Sequence, residues 1–118
     1  MPILAYALPS SVTHVELTWQ APTTYTDGSA VQAGDIAGYY VYWRTPTGTY
    51  NDADKIAVSS TSLPSTSLPA LNGRYVFAVT AHDINNVESG FSGEVEAVGN
   101  NGQWSPKTLG DPNGLRWK

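Results

Sequence analysis

The side chains best suited to proton transfer near neutral pH are two histidines, His14 and His82. They lie far apart in sequence, and neither has a third ligand at zinc-binding spacing, so both read as solvated side chains. The serines are numerous, but none sits in a nucleophile elbow; Ser92, in Gly90-Phe91-Ser92-Gly93, falls one residue short of Gly-x-Ser-x-Gly. The run Asp83-Ile84-Asn85-Asn86-Val87-Glu88 gathers oxygens of the kind calcium takes. It lacks the central glycine and the length of an EF-hand loop, and the same residue types make turns. Asn51-Asp52-Ala53-Asp54 reads as a solvated loop, and there is no phosphate-cradling glycine motif. An enzyme needs converging titratable groups, so these residues imply a non-enzymatic chain with no catalytic, cofactor or metal site.

The remaining residues with chemical potential are aromatic. Tyr40 and Tyr42 alternate with Tyr39 and Val41 and so fall on one face of an extended segment, where rings either pair across strands or stack on a sugar or a partner protein. Trp104, Leu109, Leu115 and Trp117 lie near the C-terminus among glycines and prolines.

The elements that must position these residues are strands. Apolar residues recur with a period of two, and no helical stripe is convincing. Runs are expected at about Ile3 to Leu8, Val12 to Trp19, Ile36 to Arg44, Lys55 to Ser59, within Thr61 to Leu68, around Tyr75 to Ala81, and from Glu94 to Val98. Clusters of Gly, Pro, Asn, Asp and Ser separate them, including a long polar loop from Gln20 to Asp35. Seven short strands at regular spacing predict an all-β sandwich. Its core would gather Trp19, Tyr39, Val41, Tyr75, Phe77 and Val79. Past Val98 the alternation stops at Gly99-Asn100-Asn101-Gly102, which reads as a flexible break before an irregular tail.

Composition narrows the partners. The chain has 118 residues, no cysteine and a net charge of −4. Length fits one domain, and the lack of cysteine excludes disulfides and thiolate metal sites. Nucleic acid is excluded as an expected partner by the acidic balance, and no apolar run is long enough to insert as a membrane helix. The last twenty residues hold Lys107, Arg116 and Lys118 against Asp111 alone, a weakly basic tail beside an acidic body.

Four blocks carry a family resemblance. Val15-Glu16-Leu17-Thr18-Trp19-Gln20-Ala21-Pro22, Ile36-Ala37-Gly38-Tyr39-Tyr40-Val41-Tyr42-Trp43, Asn72-Gly73-Arg74-Tyr75-Val76-Phe77-Ala78-Val79-Thr80-Ala81-His82-Asp83 and Glu88-Ser89-Gly90-Phe91-Ser92-Gly93-Glu94-Val95 follow one another in the order of a bacterial-type fibronectin type III domain. The chain resembles that family over roughly Val15 to Val98, with Asn72-Gly73 where the family usually has Pro-Gly. The resemblance implies a seven-stranded immunoglobulin-like sandwich over residues 1–98, with Tyr75 as its tyrosine corner. Residues 99–118 would form an extended arm whose Trp104, Leu109, Leu115 and Trp117 anchor the domain to an assembly. The start of the chain does not read as a signal peptide. From that and the family context, the expected function is a structural protein of a tailed-phage virion, made in the host cytoplasm and bound to other virion proteins through the arm. Loops Gln20 to Asp35 and His82 to Gly90 would be free for host-surface or glycan contact. The rival expectation is a carbohydrate-binding or spacer module of a secreted multidomain bacterial protein.

Overall fold

Alternation of apolar and polar residues builds two antiparallel sheets. The computed structural model describes residues 16–107 and 115–117, and for residues 107, 116 and 117 the backbone alone. The expected first strand at Ile3 to Leu8, the start of the second run, His14 and Leu109 lie outside the described residues. Eight strands are described: β1 (Glu16–Thr18), β2 (Gly38–Arg44), β3 (Lys55–Val58), β4 (Ser62–Pro64), β5 (Gly73–His82), β6 (Val95–Asn100), β7 (Gln103–Lys107) and β8 (Arg116–Trp117). A single 3-10 turn, Ser65–Ser67, is the only helical element among the described residues.

One sheet runs β4-β1-β8 and the other β3-β2-β5-β6-β7. Side chains from both meet in one core. Leu17, Trp19, Leu63 and Leu115 come from or adjoin the smaller sheet. Tyr39, Val41, Phe77, Val79, Val95, Ala97 and Trp104 come from the larger. Trp19 meets Tyr39 edge-on across the interface, with ring centroids 5.6 Å apart. Such pairs add about 0.5–1.5 kcal/mol beyond the area they bury. Tyr75 is only partly buried and packs at the margin of this core.

The smaller sheet is thin, so burial of its few inward residues is nearly complete. Leu17 and Leu115 are both 0% exposed. The five-stranded sheet is covered on both faces along its centre. From Val76 to Ala81 every residue of β5 is buried, not merely the alternate ones.

Three expectations are corrected. Residues 99–118 are not wholly irregular. The Asn101-Gly102 pair, with φ of 54° and 90°, makes a two-residue hairpin turn between β6 and β7 in which Asn100 faces Gln103. Both positions carry the positive φ that such turns require and that Asn-Gly tolerates best. The chain then returns to the other sheet, where Arg116 pairs with Thr18 and Trp117 with Leu17. The expected last strand at Glu94 to Val98 is therefore followed by two more. Lastly, the Tyr75 hydroxyl makes no tyrosine-corner bond among the described residues; its ring instead stands edge-on to Trp104 at 6.0 Å.

Candidate interaction end

The supposed anchoring residues must be placed first. Trp104 lies directly opposite Gly99 on the neighbouring strand and points inward. Gly99 leaves the room it needs: a Cβ there would strike the Leu71 carbonyl and come within 3.0 Å of the indole. The indole fills that space and meets Phe77 at 5.2 Å. Trp104 and Leu115 are both 0% exposed, so the structure removes them from the list of side chains that could reach a neighbour. They are core residues because a sandwich with an uncovered Phe77 and Leu17 gains more from filling its own interior than from an outside contact. The Trp117 side chain and Leu109 lie outside the described residues.

Tyr40 and Tyr42 do stand on the outer face of the larger sheet, but not as a bare strip. Lys55 of β3 sits 4.1 Å above the Tyr40 ring, and the His82 imidazole of β5 stacks on it at 4.4 Å. These partners come from the strands on either side of β2, so both ring faces are covered. Tyr42 is 4% exposed. Phe91 meets it edge-on at 5.0 Å and stacks on Tyr50 at 4.7 Å. Of the two alternatives for these rings, the structure shows contact with neighbouring protein side chains: Lys55 and His82 at Tyr40, and Phe91 at Tyr42.

The cover over this face is the segment between β5 and β6. Its sequence spaces Ser89 and Ser92 three apart, whereas their partners Ala81 and Val79 on β5 are two apart. The extra residue bulges the segment and would leave buried N–H groups of β5 without carbonyls. The hydroxyls repair this. Ser89 Oγ accepts from the Ala81 N–H and Ser92 Oγ from the Val79 N–H, each at 3.0 Å. The serines' own N–H groups donate to the carbonyls of Ala81 at 2.8 Å and Val79 at 2.9 Å. Ser92, considered above as an incomplete nucleophile motif, thus carries a structural task.

The carboxylates on this face do structural work as well. Glu88 Oε2 accepts from the hydroxyls of Tyr42 and Thr80, each at 2.6 Å. Burial alone would raise the Glu88 pKa, but these bonds, with help from Lys55 and His82, hold it below the ordinary range. Glu94 Oε2 accepts from Arg44 and from the Tyr50 hydroxyl, each at 2.8 Å. The Arg44 contact holds the Glu94 carboxyl below its ordinary value. Burial, with the Glu94 contact, pushes the Tyr50 phenol well above its own.

At one end of the sandwich the connections 20–35, 59–61 and 83–90 gather. The Trp19 N–H donates to the Thr61 carbonyl at 3.0 Å and the Ala37 N–H to the His82 carbonyl at 2.8 Å, which ties the three to the sheets. The first loop is braced internally. Thr24 bridges Ala30 around Asp27-Gly28, and Asp35 Oδ2 accepts from the Tyr25 hydroxyl at 2.7 Å and the Gln32 N–H at 2.8 Å. The third loop is a tight turn around Asp83, whose Oδ1 accepts from the Asn85 and Val87 N–H groups, each at 2.9 Å. Of the oxygens that suggested calcium, Asp83 Oδ1 is thereby committed to a turn, Asn86 Oδ1 accepts from the Tyr40 hydroxyl at 2.7 Å, and Glu88 Oε2 is taken by Tyr42 and Thr80. Among the described residues no group of three or more His, Asp or Glu is placed to hold a metal ion.

Between the first and third loops lies a cleft of about 260 Å³, walled by Val31, Ile36, Ala81 and Val87, with Asp35 of the first loop and Asp83 of the third also lining it. Tyr25 and Val87 line it and are 47% and 65% exposed, and Ile84, on the same loop as Val87, is 81% exposed. The exposure of Ile84 and Val87 is legible in the sequence as two apolar residues within a run of turn-forming residues. Comparison of the chain with protein-family models, with curated proteins and with solved structures finds no match.

Proposed function

We propose that this chain is a non-enzymatic interaction module with a fibronectin type III-like arrangement of strands, and that it binds its partner through the loop end formed by 20–35 and 83–90. The strand order supports the family-like arrangement. Immunoglobulin-type sandwiches keep their second strand beside the fifth in one sheet, and their third beside the sixth and seventh in the other. Here β1 lies beside β4, while β2, β5 and β6 are consecutive. The observation that carries the binding role is a cleft lined by the exposed Tyr25 and Val87, with Ile84 exposed on the same loop as Val87, raised on a braced scaffold. Loops on rigid sandwiches are the usual place for recognition, and apolar side chains held out into water favour a partner that covers them.

The setting we propose is the virion of a tailed phage, where the module is a structural protein of the tail, neck or capsid surface. Its support is the family resemblance together with a cysteine-free chain that needs no oxidising compartment to fold. With Trp104 and Leu115 in the core, attachment passes from the C-terminal arm to the loop end. Mass spectrometry with crosslinking on purified particles provides the test. Stoichiometric presence with crosslinks from residues 25–35 or 83–90 to another virion protein is the expected result. Absence from particles ends the virion assignment, and crosslinks confined to the sheet faces end the loop-end assignment.

A further inference from the structure

We infer that the loop-end cleft takes an extended segment of a partner protein in which an apolar side chain is followed by Arg or Lys; the inference rests on the loop-end assignment above and names the chemistry of its partner.

Size comes first. Small-molecule sites usually enclose about 300–1,000 Å³. A cleft of about 260 Å³ open between two loops is better matched to one or two side chains of a peptide. Its walls are mostly apolar, and the exposed margin lets flanking residues of a chain lie against Tyr25 and Val87. A peptide that fills the cleft with an apolar side chain therefore continues across an apolar margin.

Charge selects the rest. Residues 20–37 and 82–93 contain Asp27, Asp35, Asp83 and Glu88 and no Lys or Arg. The two carboxylates that line the cleft, one from each loop, are held by local bonds on one oxygen only. Asp35 uses Oδ2 for both its bonds, and Asp83 uses Oδ1 for both of its own. Each retains a second oxygen, fixed in direction by the first. A guanidinium or ammonium group meets ionised, pre-oriented acceptors there without disturbing either loop. An acidic segment would meet like charge and be rejected.

The probe is a panel of three nine-residue peptides with one Leu/Trp framework and Arg, Gln or Glu at the charged positions, titrated into the ¹⁵N-labelled full chain by NMR. The Arg peptide is expected to shift amides of 24–36 and 82–89. Its apparent Kd should weaken at least about threefold between 50 and 500 mM salt, because rim charges are screened within several ångströms at high salt. Asp35→Asn and Asp83→Asn keep an acceptor oxygen for the local bonds and should each weaken it several-fold. The salt titration on the unsubstituted chain stands even if a variant misfolds. Equal binding of the Arg and Gln peptides at the loops overturns the cationic partner and leaves the loop end standing. Shifts confined to the sheet faces overturn both. No shifts from any peptide at millimolar concentration overturn the inference, and the particle crosslinks then decide the loop end separately.

Discussion

At the scale of single residues, two buried groups define how tightly this interior is specified. The Val79 N–H is satisfied by a hydroxyl, Ser92 Oγ, where a sheet would ordinarily supply a carbonyl. Ser92→Ala leaves that donor unpaired within the buried stretch of β5, and the expected cost is about 1–3 kcal/mol, read as a lowered urea midpoint. Trp104 presents the opposite case. Its indole N–H, like that of Trp19, is buried without an acceptor among the described residues. Phenylalanine at 104 therefore loses volume but no hydrogen bond. Trp104→Ala is expected to cost about 3–5 kcal/mol, and Trp104→Phe clearly less. Equal costs in the same denaturation series would show that the indole nitrogen has a partner after all.

At the scale of elements, the hairpin of β6 and β7 converts what resembles a tail into part of the sheet. Its register sets Trp104 opposite Gly99, and no larger residue fits beneath the ring. Because the obstructing atom is a backbone carbonyl, a methyl group there must displace main chain. Gly99→Ala is expected to lower stability by about 1–3 kcal/mol and to red-shift tryptophan fluorescence as the indole is pushed toward water. An unchanged midpoint would place Trp104 outside the core.

This hairpin also shows how far the sequence could be read. Asn-Gly flanked by residues of alternating polarity is the strongest local hairpin signal. It was masked by two neighbouring residues, Gly99 and Asn100, that look like linker. Trp19, Tyr39, Val41, Phe77 and Val79 were legible as core because each belongs to a strand with a period of two. The cover on the opposite face was not. Tyr42 is buried by Phe91, which lies 49 positions away. Nothing in the local pattern of either residue announces that contact. The loop-end cleft was legible as two polar loops, but its assembly depends on β2 and β5 being neighbours, which is a property of the sheet order.

At the scale of the whole molecule, the ionised groups that fasten the outer cover make stability depend on pH at both extremes. Glu88 and Glu94 have carboxyls depressed in the folded state. Their contribution is present above the ordinary glutamate value of about 4.3 and is lost as pH falls through the lower folded values. Tyr50 is shifted the other way, so its contribution is present below the ordinary tyrosine value of about 10 and is lost as pH rises beyond it. The thermal midpoint should therefore be level from about pH 6 to 9 and decline on either side, with Glu88→Gln flattening the acid limb. A midpoint that holds steady down to pH 3 would mean that these carboxylates are not fastened in solution.

The pairing of Thr18 with Arg116 brings together two segments from opposite ends of the described chain. No short-range event can form it, because nearly all the intervening polypeptide must first be arranged for the two backbones to meet. Closure of such a large loop carries an entropic barrier, and folds rich in distant contacts form slowly. The smaller sheet should thus be the last part of the molecule to mature, with Leu17 and Leu115 sealed only at that moment. Until then the half-built sandwich exposes an apolar flank, and it is in this interval, rather than in the finished protein, that self-association is the greater hazard.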